Sequence, residues 1–328
     1  MFTGATIYQN HLSGQPWIAI WSEATDTLIW NFQERLQILM SPSELPPKLP
    51  LRNKVAIVTG ASRGAGRGIA LALGEAGAIV YVTGRSVRGK ATTEDLPGTI
   101  EDTAEAVTAR GGRGIAVRCD HTVDSDVEAL FARVKQVQGR LDVLVNNAWG
   151  GYEKHDYRTF GAPFPEQPLR HWDGMFTSGV RAAMVASRFA TAMMRPQMHG
   201  LIINITAWDR DNFMVNVFYD VAKNAINRLT YGLARELKSH NIAAIALAPG
   251  FMRTERVAGA FEAVGNKDYL NFTESPEYVG RAVVAIATDP NAMQKSGKVF
   301  AVGDLAKEYG FTDIDGRHIP AFKMPDEP

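Results

Sequence analysis

Cysteine is almost absent from this chain of 328 residues, which contains only Cys119. A single cysteine excludes an intrachain disulfide framework and a zinc site built from several cysteines. The seven histidines occur singly and never at His-x-x-x-His spacing, so no metal site is expected. Because Lys plus Arg and Asp plus Glu both number 35, no net charge favours nucleic acid or an anionic membrane as a partner.

Long hydrophobic runs are also missing, and none reaches the roughly 18 apolar residues of a membrane-spanning helix. No basic residue precedes Arg35, whereas a secretory signal begins with a positively charged segment. We therefore expect a cytoplasmic protein with neither membrane nor nucleic acid as a partner. The composition that is present, 45% hydrophobic and 21% charged, is typical of a globular chain.

The chain is expected to contain one large domain between two terminal segments. Residues 1–50 combine scattered tryptophans with a proline-rich end, which predicts a poorly ordered extension, with a short docking helix as the alternative. Residues 51–303 are expected to form a single α/β domain, and residues 304–328 a C-terminal tail.

From Lys54 onward, apolar runs of strand length alternate with segments of helix length. The predicted strands are Val55–Thr59, Ile79–Thr83, Gly114–Cys119, Val143–Asn146, Leu201–Ile205, Ile242–Leu247 and Lys298–Val302. The main predicted helices are Thr99–Arg110, Asp124–Gln138, Trp172–Met194 and Phe218–His240. This alternation predicts an α/β fold, a doubly wound, seven-stranded parallel sheet (Rossmann fold) with helices on both faces. Its ligand would bind at the carboxyl ends of the strands.

A glycine-rich turn joins the first predicted strand to the helix after it. Gly60, Gly64 and Gly66 follow the spacing Gly-x-x-x-Gly-x-Gly, and no Gly-Lys-Ser/Thr follows to make a Walker loop. Such glycines let the backbone approach a pyrophosphate, whose charge meets free amides at the helix start. We expect a dinucleotide held by Gly60, Ser62, Arg63, Gly64, Ala65 and Gly66.

The end of the second predicted strand indicates which dinucleotide is bound. A site for NAD usually carries an acid there, whereas this chain has Gly84 and Arg85. Because guanidinium binds phosphate well, Arg85 and Arg63 favour NADP(H); NAD(H) and two solvated surface arginines stay open as alternatives. Asp120, after the third strand, is expected to accept from the adenine amino group or, alternatively, to cap the next helix.

Four motifs in order resemble the short-chain dehydrogenase/reductase family over about residues 54–303. They are the Thr-Gly-x-x-x-Gly-x-Gly turn, Asn146-Asn147-Ala148, Tyr219-x-x-x-Lys223 and Pro249-Gly250-x-x-x-Thr254. Asp304–Gly310 and Asp313–Arg317 are similar to the SDR family member 1 branch of that family. The resemblance implies an NADP(H)-dependent carbonyl reductase or alcohol dehydrogenase. It also implies that Asn147, Ala148, Pro249, Gly250 and Thr254 line the cofactor cleft.

Tyr219 and Lys223 stand four residues apart on a predicted helix, so both side chains emerge on one face. A tyrosine titrates near 10 in water, and a neighbouring ammonium favours its phenolate. We therefore predict that Tyr219 exchanges a proton with the substrate oxygen, while Lys223 lowers the pKa of Tyr219. The resemblance adds that Lys223 binds the nicotinamide ribose. A pseudoenzyme that binds NADP(H) as a redox sensor or scaffold is the alternative.

Three positions depart from the family pattern. The family places a serine after the fifth strand, but Ala207 stands there, and the neighbouring Thr206 is the candidate for the missing hydroxyl. Gly179 falls where many members carry an asparagine. Trp149 interrupts the Asn-Asn-Ala-Gly motif, so the turn there is expected to differ.

Two aromatic-rich loops are expected to cover the substrate, which we predict to be a small hydrophobic carbonyl compound or alcohol. They are residues 150–165, which would form a wall, and residues 251–272, which would form a lid. His155 with Asp156 is a candidate second acid–base pair, although an exposed loop histidine is the preferred interpretation.

The resemblance further implies a homodimer or homotetramer, in which the helices Trp172–Met194 and Phe218–His240 pair across a two-fold axis. Small residues on the first helix would allow close packing there and fit an internal helix equally well: Ala182, Ala183, Ala186, Ala190 and Ala192.

Overall fold

The computed structural model describes residues 49–153, 160–208, 210 and 212–324, and before them only the backbone of three strands. The chain forms two units, residues 1–48 and residues 49–328. In the first unit, β1 (Ala5–Gln9), β2 (Pro16–Ser22) and β3 (Thr25–Asn31) pair antiparallel in that order. The docking helix considered for this segment is thus wrong for these residues, and its poor order stays a prediction.

A seven-stranded parallel sheet forms the centre of the second unit. Its strands are β4 (Val55–Val58), β5 (Ile79–Gly84), β6 (Arg113–Arg118), β7 (Val143–Asn146), β8 (Gly200–Ile205), β9 (Ile242–Ala248) and β10 (Val299–Ala301). Their spatial order is β10-β9-β8-β7-β4-β5-β6. The predicted fold class is confirmed, because apolar β-branched runs of this length are buried on both faces.

Helices cover both faces of this sheet. They are α1 (Gly64–Glu75), α2 (Ile100–Ala109), α3 (Asp124–Gln138), α4 (Ala182–Gln197), α5 (Val217–Leu237), α6 (Glu255–Ala263), α7 (Pro276–Thr288) and α8 (Val302–Tyr309). A π-helical segment, Asp173–Arg181, leads directly into α4. Alternate residues of a strand face opposite sides, so Val58 packs with α1, α2 and α7, while Ile57 packs with α3, α4 and α5.

The small residues on α4 belong mainly to this internal packing. Ala182, Ala183, Ala186 and Ala190 are buried within the unit, and only Ala192 is exposed. The alternative in which they serve an internal helix therefore accounts for four of the five.

The crevice of the sheet lies between β4 and β7, where the strand order reverses. Asn147 joins the two strand ends, because its Nδ2 donates to the carbonyl oxygens of Thr59 and Gly60, each at 3.0 Å. The Oγ1 of Thr59 accepts the backbone N–H groups of Asn147 and Ala148, each at 2.9 Å. These bonds fix the two loops at the point where a doubly wound sheet binds its ligand.

The segment after β10 packs on the same core. Leu305 of α8 is fully buried, and the carboxylate of Asp313 accepts the backbone N–H of Ser275 at 2.8 Å. Asp313 also pairs with Arg253 at 3.3 Å. Among the described residues, no helix is both long and apolar enough to cross a bilayer.

Candidate active site

A cavity of about 720 Å³ opens at the carboxyl ends of the strands. Residues that end six of the strands or follow them within two positions line it: Gly60, Gly84, Cys119, Asn147, Thr206 and Pro249. All the predicted catalytic and cofactor residues line this cavity with the exception of Gly66. The topology thus brings together groups that lie up to 194 positions apart, from Gly60 to Thr254.

Gly66 lies behind the glycine turn rather than facing the cavity, which corrects its predicted role. A Cβ at this position would stand 2.3 Å from the carbonyl oxygen of Gly60 and 2.4 Å from Nδ2 of Asn147. Gly66 is therefore required for close packing of α1 against the turn. Gly60 and Gly64 adopt φ angles of +64° and +54°, in the left-handed region that glycine enters without strain.

Arg63 and Arg85 both reach the cavity, but each has protein partners. The Arg63 guanidinium donates to the carbonyl oxygens of Leu96, Pro97 and Gly98 at 2.9–3.2 Å and to Ser86 Oγ at 2.9 Å. Arg63 thus holds the 96–98 loop beside the glycine turn. Arg85 forms an ion pair with Glu153 of the loop after β7. Glu153, in the loop predicted to form the substrate wall, therefore contacts Arg85, the residue predicted to bind the phosphate.

Asp120 lies beside a buried histidine at the end of β6. The Oδ1 of Asp120 accepts from the backbone N–H of Thr122 at 3.0 Å and from its hydroxyl at 2.7 Å. The alternative in which Asp120 caps α3 is wrong, because the N-cap is Val123. The ring of His121 is 2.8 Å from Thr83 Oγ1, and burial lowers the pKa of His121 to about 4. A neutral imidazole therefore stands beside the position proposed for adenine.

Tyr219 and Lys223 lie one turn apart on α5 and both line the cavity. The Nζ atom of Lys223 is 5.5 Å from the centre of the Tyr219 ring. Burial lowers the pKa of Lys223 to about 7. Burial also raises the pKa of Tyr219 well above its usual value, and the interaction with the Tyr152 hydroxyl, which includes a hydrogen bond, adds to this. The pKa of Tyr219 is thus raised overall in this structure, and the lowering effect of Lys223 stays a prediction.

Thr206 lies in the cavity wall, but its hydroxyl points back into the fold. Its Oγ1 donates to the backbone carbonyl of Lys223 at 3.1 Å, and the residue is only 3% exposed. This bond ties the end of β8 to α5. Thr206 thus supports the helix that carries Lys223, and its catalytic role stays a prediction.

Trp149 explains two of the departures from the family pattern at once. A Cβ at Gly179 would stand 2.6 Å from the Trp149 ring, so the indole occupies the space of a side chain there. The Nζ of Lys223 lies 3.6 Å from the centre of the same ring, which is a close cation–π contact. The indole Nε1 is buried and has no hydrogen-bond partner among the described residues.

The segment after β9 closes over the glycine turn. Thr254 is the N-cap of α6, and its side chain accepts from the backbone N–H of Val257 at 3.4 Å. The next residue, Glu255, accepts the backbone N–H of Gly64 at 2.8 Å through Oε2. The carboxylate of Glu255, in the predicted lid, thus accepts a hydrogen bond from a backbone amide at the start of α1. An anionic ligand is expected to bind at that amide.

These features fit a nicotinamide dinucleotide. The amide of Gly64 already binds an anionic group, and three guanidinium groups, those of Arg63, Arg85 and Arg256, line the same cavity. The cavity continues from these arginines to Tyr219 and Lys223. It therefore offers phosphate-binding groups at one end and proton-transfer groups at the other.

Sequence reasoning missed the individual roles of Tyr152, Glu255 and His121. The aromatic content of residues 150–165 did indicate a wall, and Tyr152 and Phe160 line the cavity. Phe251 and Phe261, both within the predicted lid of residues 251–272, also line the cavity. No local pattern distinguishes Glu255 from an ordinary acid in the first turn of a helix. His155 and Asp156 lie outside the described residues.

Comparisons with known proteins agree with this geometry. The family model of short chain dehydrogenases matches residues 54–264. The chain is 40% identical over 283 residues to dehydrogenase/reductase SDR family member 1 of Mus musculus, covering 82% of this chain and 86% of that protein. It is 32% identical over 213 residues to an NADPH-dependent aldehyde reductase-like protein, chloroplastic, of Arabidopsis thaliana, covering 64% and 76%. The crystal structure of hydroxysteroid dehydrogenase from Escherichia coli matches with a TM-score of 0.62 at 25% identity, covering 78% and 97%.

Proposed function

The chain belongs to the short-chain dehydrogenase family, with similarity to its SDR family member 1 branch, and on that premise we propose an NADP(H)-dependent reductase of hydrophobic carbonyl compounds. Family membership makes the protein an oxidoreductase that binds a nicotinamide cofactor and transfers hydride. The preference for NADP(H), the catalytic pair and the substrate class are the parts that we propose.

The observation that carries the proposal is that Tyr219 and Lys223 share one cavity with the glycine turn. A phenol, an ammonium and an anion-binding turn are the groups needed to move a proton beside a bound dinucleotide. Their separation by more than 150 positions in sequence makes this arrangement a property of the fold.

The proposed chemistry is proton transfer at the substrate oxygen. The nicotinamide, when bound, exchanges a hydride with the adjacent substrate carbon. Tyr219 has a raised pKa and therefore holds its proton at neutral pH, ready to give it to a carbonyl oxygen. As the phenolate forms, the Lys223 ammonium stabilises it, and the face of Trp149 holds that ammonium in place.

Three arginines support NADP(H) as the cofactor. Arg63, Arg85 and Arg256 line one end of the cavity, and no acid ends β5. Glu153 and Glu94 pair with Arg85 and Arg256, and we propose that a 2′-phosphate displaces at least the first of these carboxylates. An arginine fork binds a phosphate better than a neutral ribose hydroxyl.

Aromatic side chains support a hydrophobic substrate. Trp149, Tyr152 and Phe160 line one side of the cavity next to Tyr219, and Phe251 and Phe261 line the lid. Such a lining favours an apolar body around the reacting carbonyl. The homo-oligomer implied by the family resemblance remains part of this proposal.

The test is NADPH oxidation with a panel of medium-chain aldehydes, aromatic ketones and quinones. We expect turnover by wild type and a loss of roughly 10²–10⁴-fold in kcat for Tyr219→Phe, because the proton donor is removed. NADPH binding, followed by its fluorescence, should remain. Tyr231→Phe, a change at an exposed tyrosine of the same helix, is the control. Binding of NADPH without turnover of any substrate would favour the sensor or scaffold alternative.

A further inference from the structure

The cavity lacks a hydroxyl at the position where the family places its serine. Ala207 has no polar group, and the hydrogen of the Thr206 hydroxyl is directed to the carbonyl oxygen of Lys223. In carbonyl reduction a second donor at the substrate oxygen stabilises the negative charge that develops there. If the proposed function holds, another residue of the cavity should supply this donor.

Tyr152 lines the same cavity directly beside Tyr219. Its ring stacks on the ring of Tyr219, with centres 6.4 Å apart and an interplanar angle of 25°. The hydroxyl groups of the two tyrosines share a hydrogen bond.

Two neighbouring rings hold Tyr152 in this position. Trp149 lies edge-on to it with centres 6.2 Å apart, and Phe160 is tilted against it at 6.0 Å. The phenol can therefore present its oxygen to the substrate with little loss of side-chain entropy. A long and mobile side chain at the same place would not offer this preorganisation.

We propose that Tyr152 is a catalytic residue that donates a hydrogen bond to the substrate carbonyl oxygen, in place of the family serine. This inference rests on the proposed function. A phenol hydroxyl can both donate and accept hydrogen bonds, so the oxygen of a carbonyl that enters between Tyr219 and Tyr152 can accept from both.

The step balances in protons and electrons. The carbonyl carbon accepts the hydride with its two electrons, and the carbon–oxygen π bond breaks toward oxygen. That oxygen takes the proton of Tyr219 and becomes the alcohol hydroxyl, which leaves the Tyr219 phenolate beside Lys223. Tyr152 transfers no proton and only stabilises the charge while it is on the oxygen.

The decisive variant is Tyr152→Phe, which keeps the ring and its packing and removes only the hydroxyl. With NADPH and the fastest aldehyde or ketone of the panel, we expect kcat to fall by about 10²–10³-fold. The Kd of NADPH should stay within about threefold of wild type, because the hydroxyl lies at the substrate end of the cavity. Tyr81→Phe is the matched control, since Tyr81 is buried, accepts from Gln138 and does not line the cavity.

A second variant separates a donor from a packing residue. Adding Ala207→Ser to Tyr152→Phe supplies a hydroxyl at the position where the family has its serine, and we expect at least about tenfold recovery of kcat. A kcat of Tyr152→Phe close to wild type, or a loss that the added serine does not restore, would overturn the proposal. If Tyr219→Phe still abolishes turnover in that case, only the role of Tyr152 fails. If the kcat of Tyr219→Phe is also close to that of wild type, the proposed function fails as well.

Discussion

The indole ring of Trp149 fills the space that any side chain at position 179 would need. A Cβ on Gly179 would lie 2.6 Å from the ring atoms Cε3 and Cζ3. The same ring lies under the ammonium group of Lys223 at 3.6 Å. One large residue after β7 therefore explains both the glycine in the π-helical segment and the position of the lysine.

Gly179→Ala should therefore destabilise the protein, because the new methyl group overlaps the indole. We expect a loss of about 1–3 kcal/mol in the free energy of unfolding, measured by urea denaturation. Gly232→Ala on α5 is the control, since a Cβ there meets no atom within 4 Å and alanine favours a helix. In a Trp149→Ala background the penalty of Gly179→Ala should disappear, and a penalty of equal size there would contradict the assignment.

Glu255 and an incoming pyrophosphate compete for the amide of Gly64. Glu255→Gln removes the negative charge from the start of α1, so we expect NADPH to bind about two- to fivefold more tightly. The Kd is measured by fluorescence titration at constant ionic strength. Glu262→Gln on the same helix is the control, because Glu262 contacts Tyr269 and does not line the cavity. An unchanged or weaker Kd for Glu255→Gln would speak against this competition.

Arg85 should contribute to the discrimination between the two dinucleotides. Arg85→Ala removes a charged donor to the 2′-phosphate, which we expect to weaken NADPH binding by roughly 10–100-fold and NADH binding much less. The Kd values of both cofactors are compared in one assay. Arg88→Ala serves as the control, because Arg88 pairs with Asp102 and Glu105 on the surface. Equal losses for NADPH and NADH would rule out a contact with the phosphate.

Glu274 should make the stability of the fold depend on pH. It is 1% exposed, and burial raises the pKa of Glu274 from 4.5 to about 8. Its Oε1 has no hydrogen-bond partner among the described residues. The folded state therefore binds a proton that the unfolded state has lost between these two pH values. Stability from this group is full below pH 4.5 and is lost as pH rises through about 8.

Glu274→Gln should remove this loss, because glutamine is neutral throughout. Between pH 4.5 and about 8, the loss of unfolding free energy that the variant removes is on the order of 5 kcal/mol. It is measured by urea denaturation at a series of pH values, with Glu236→Gln on the exposed side of α5 as the control. Parallel pH profiles for wild type and Glu274→Gln would disprove a protonated Glu274.

Prediction from sequence worked best where the signal is local. Val55–Val58 and Ile242–Ala248 are apolar throughout, and a parallel strand covered on both faces requires that composition. The pair Tyr219 and Lys223 shares a helix face because of their spacing alone. The role of Gly66 was less well predicted, since motif spacing does not say which glycine faces a ligand and which one packs behind it.

The sequence by itself thus determined three features: the alternation of apolar strands with helices, the glycine turn and the spacing of Tyr219 and Lys223. All three depend on neighbours within a few residues. Only the tertiary structure decided that Glu255 meets Gly64, that Tyr152 stacks on Tyr219 and that the Thr206 hydroxyl turns toward Lys223. Contacts of this kind join different loops at one edge of the sheet. Their partners are set by the packing of whole elements, and the burial that shifts the pKa values of Tyr219 and Lys223 arises from the same packing.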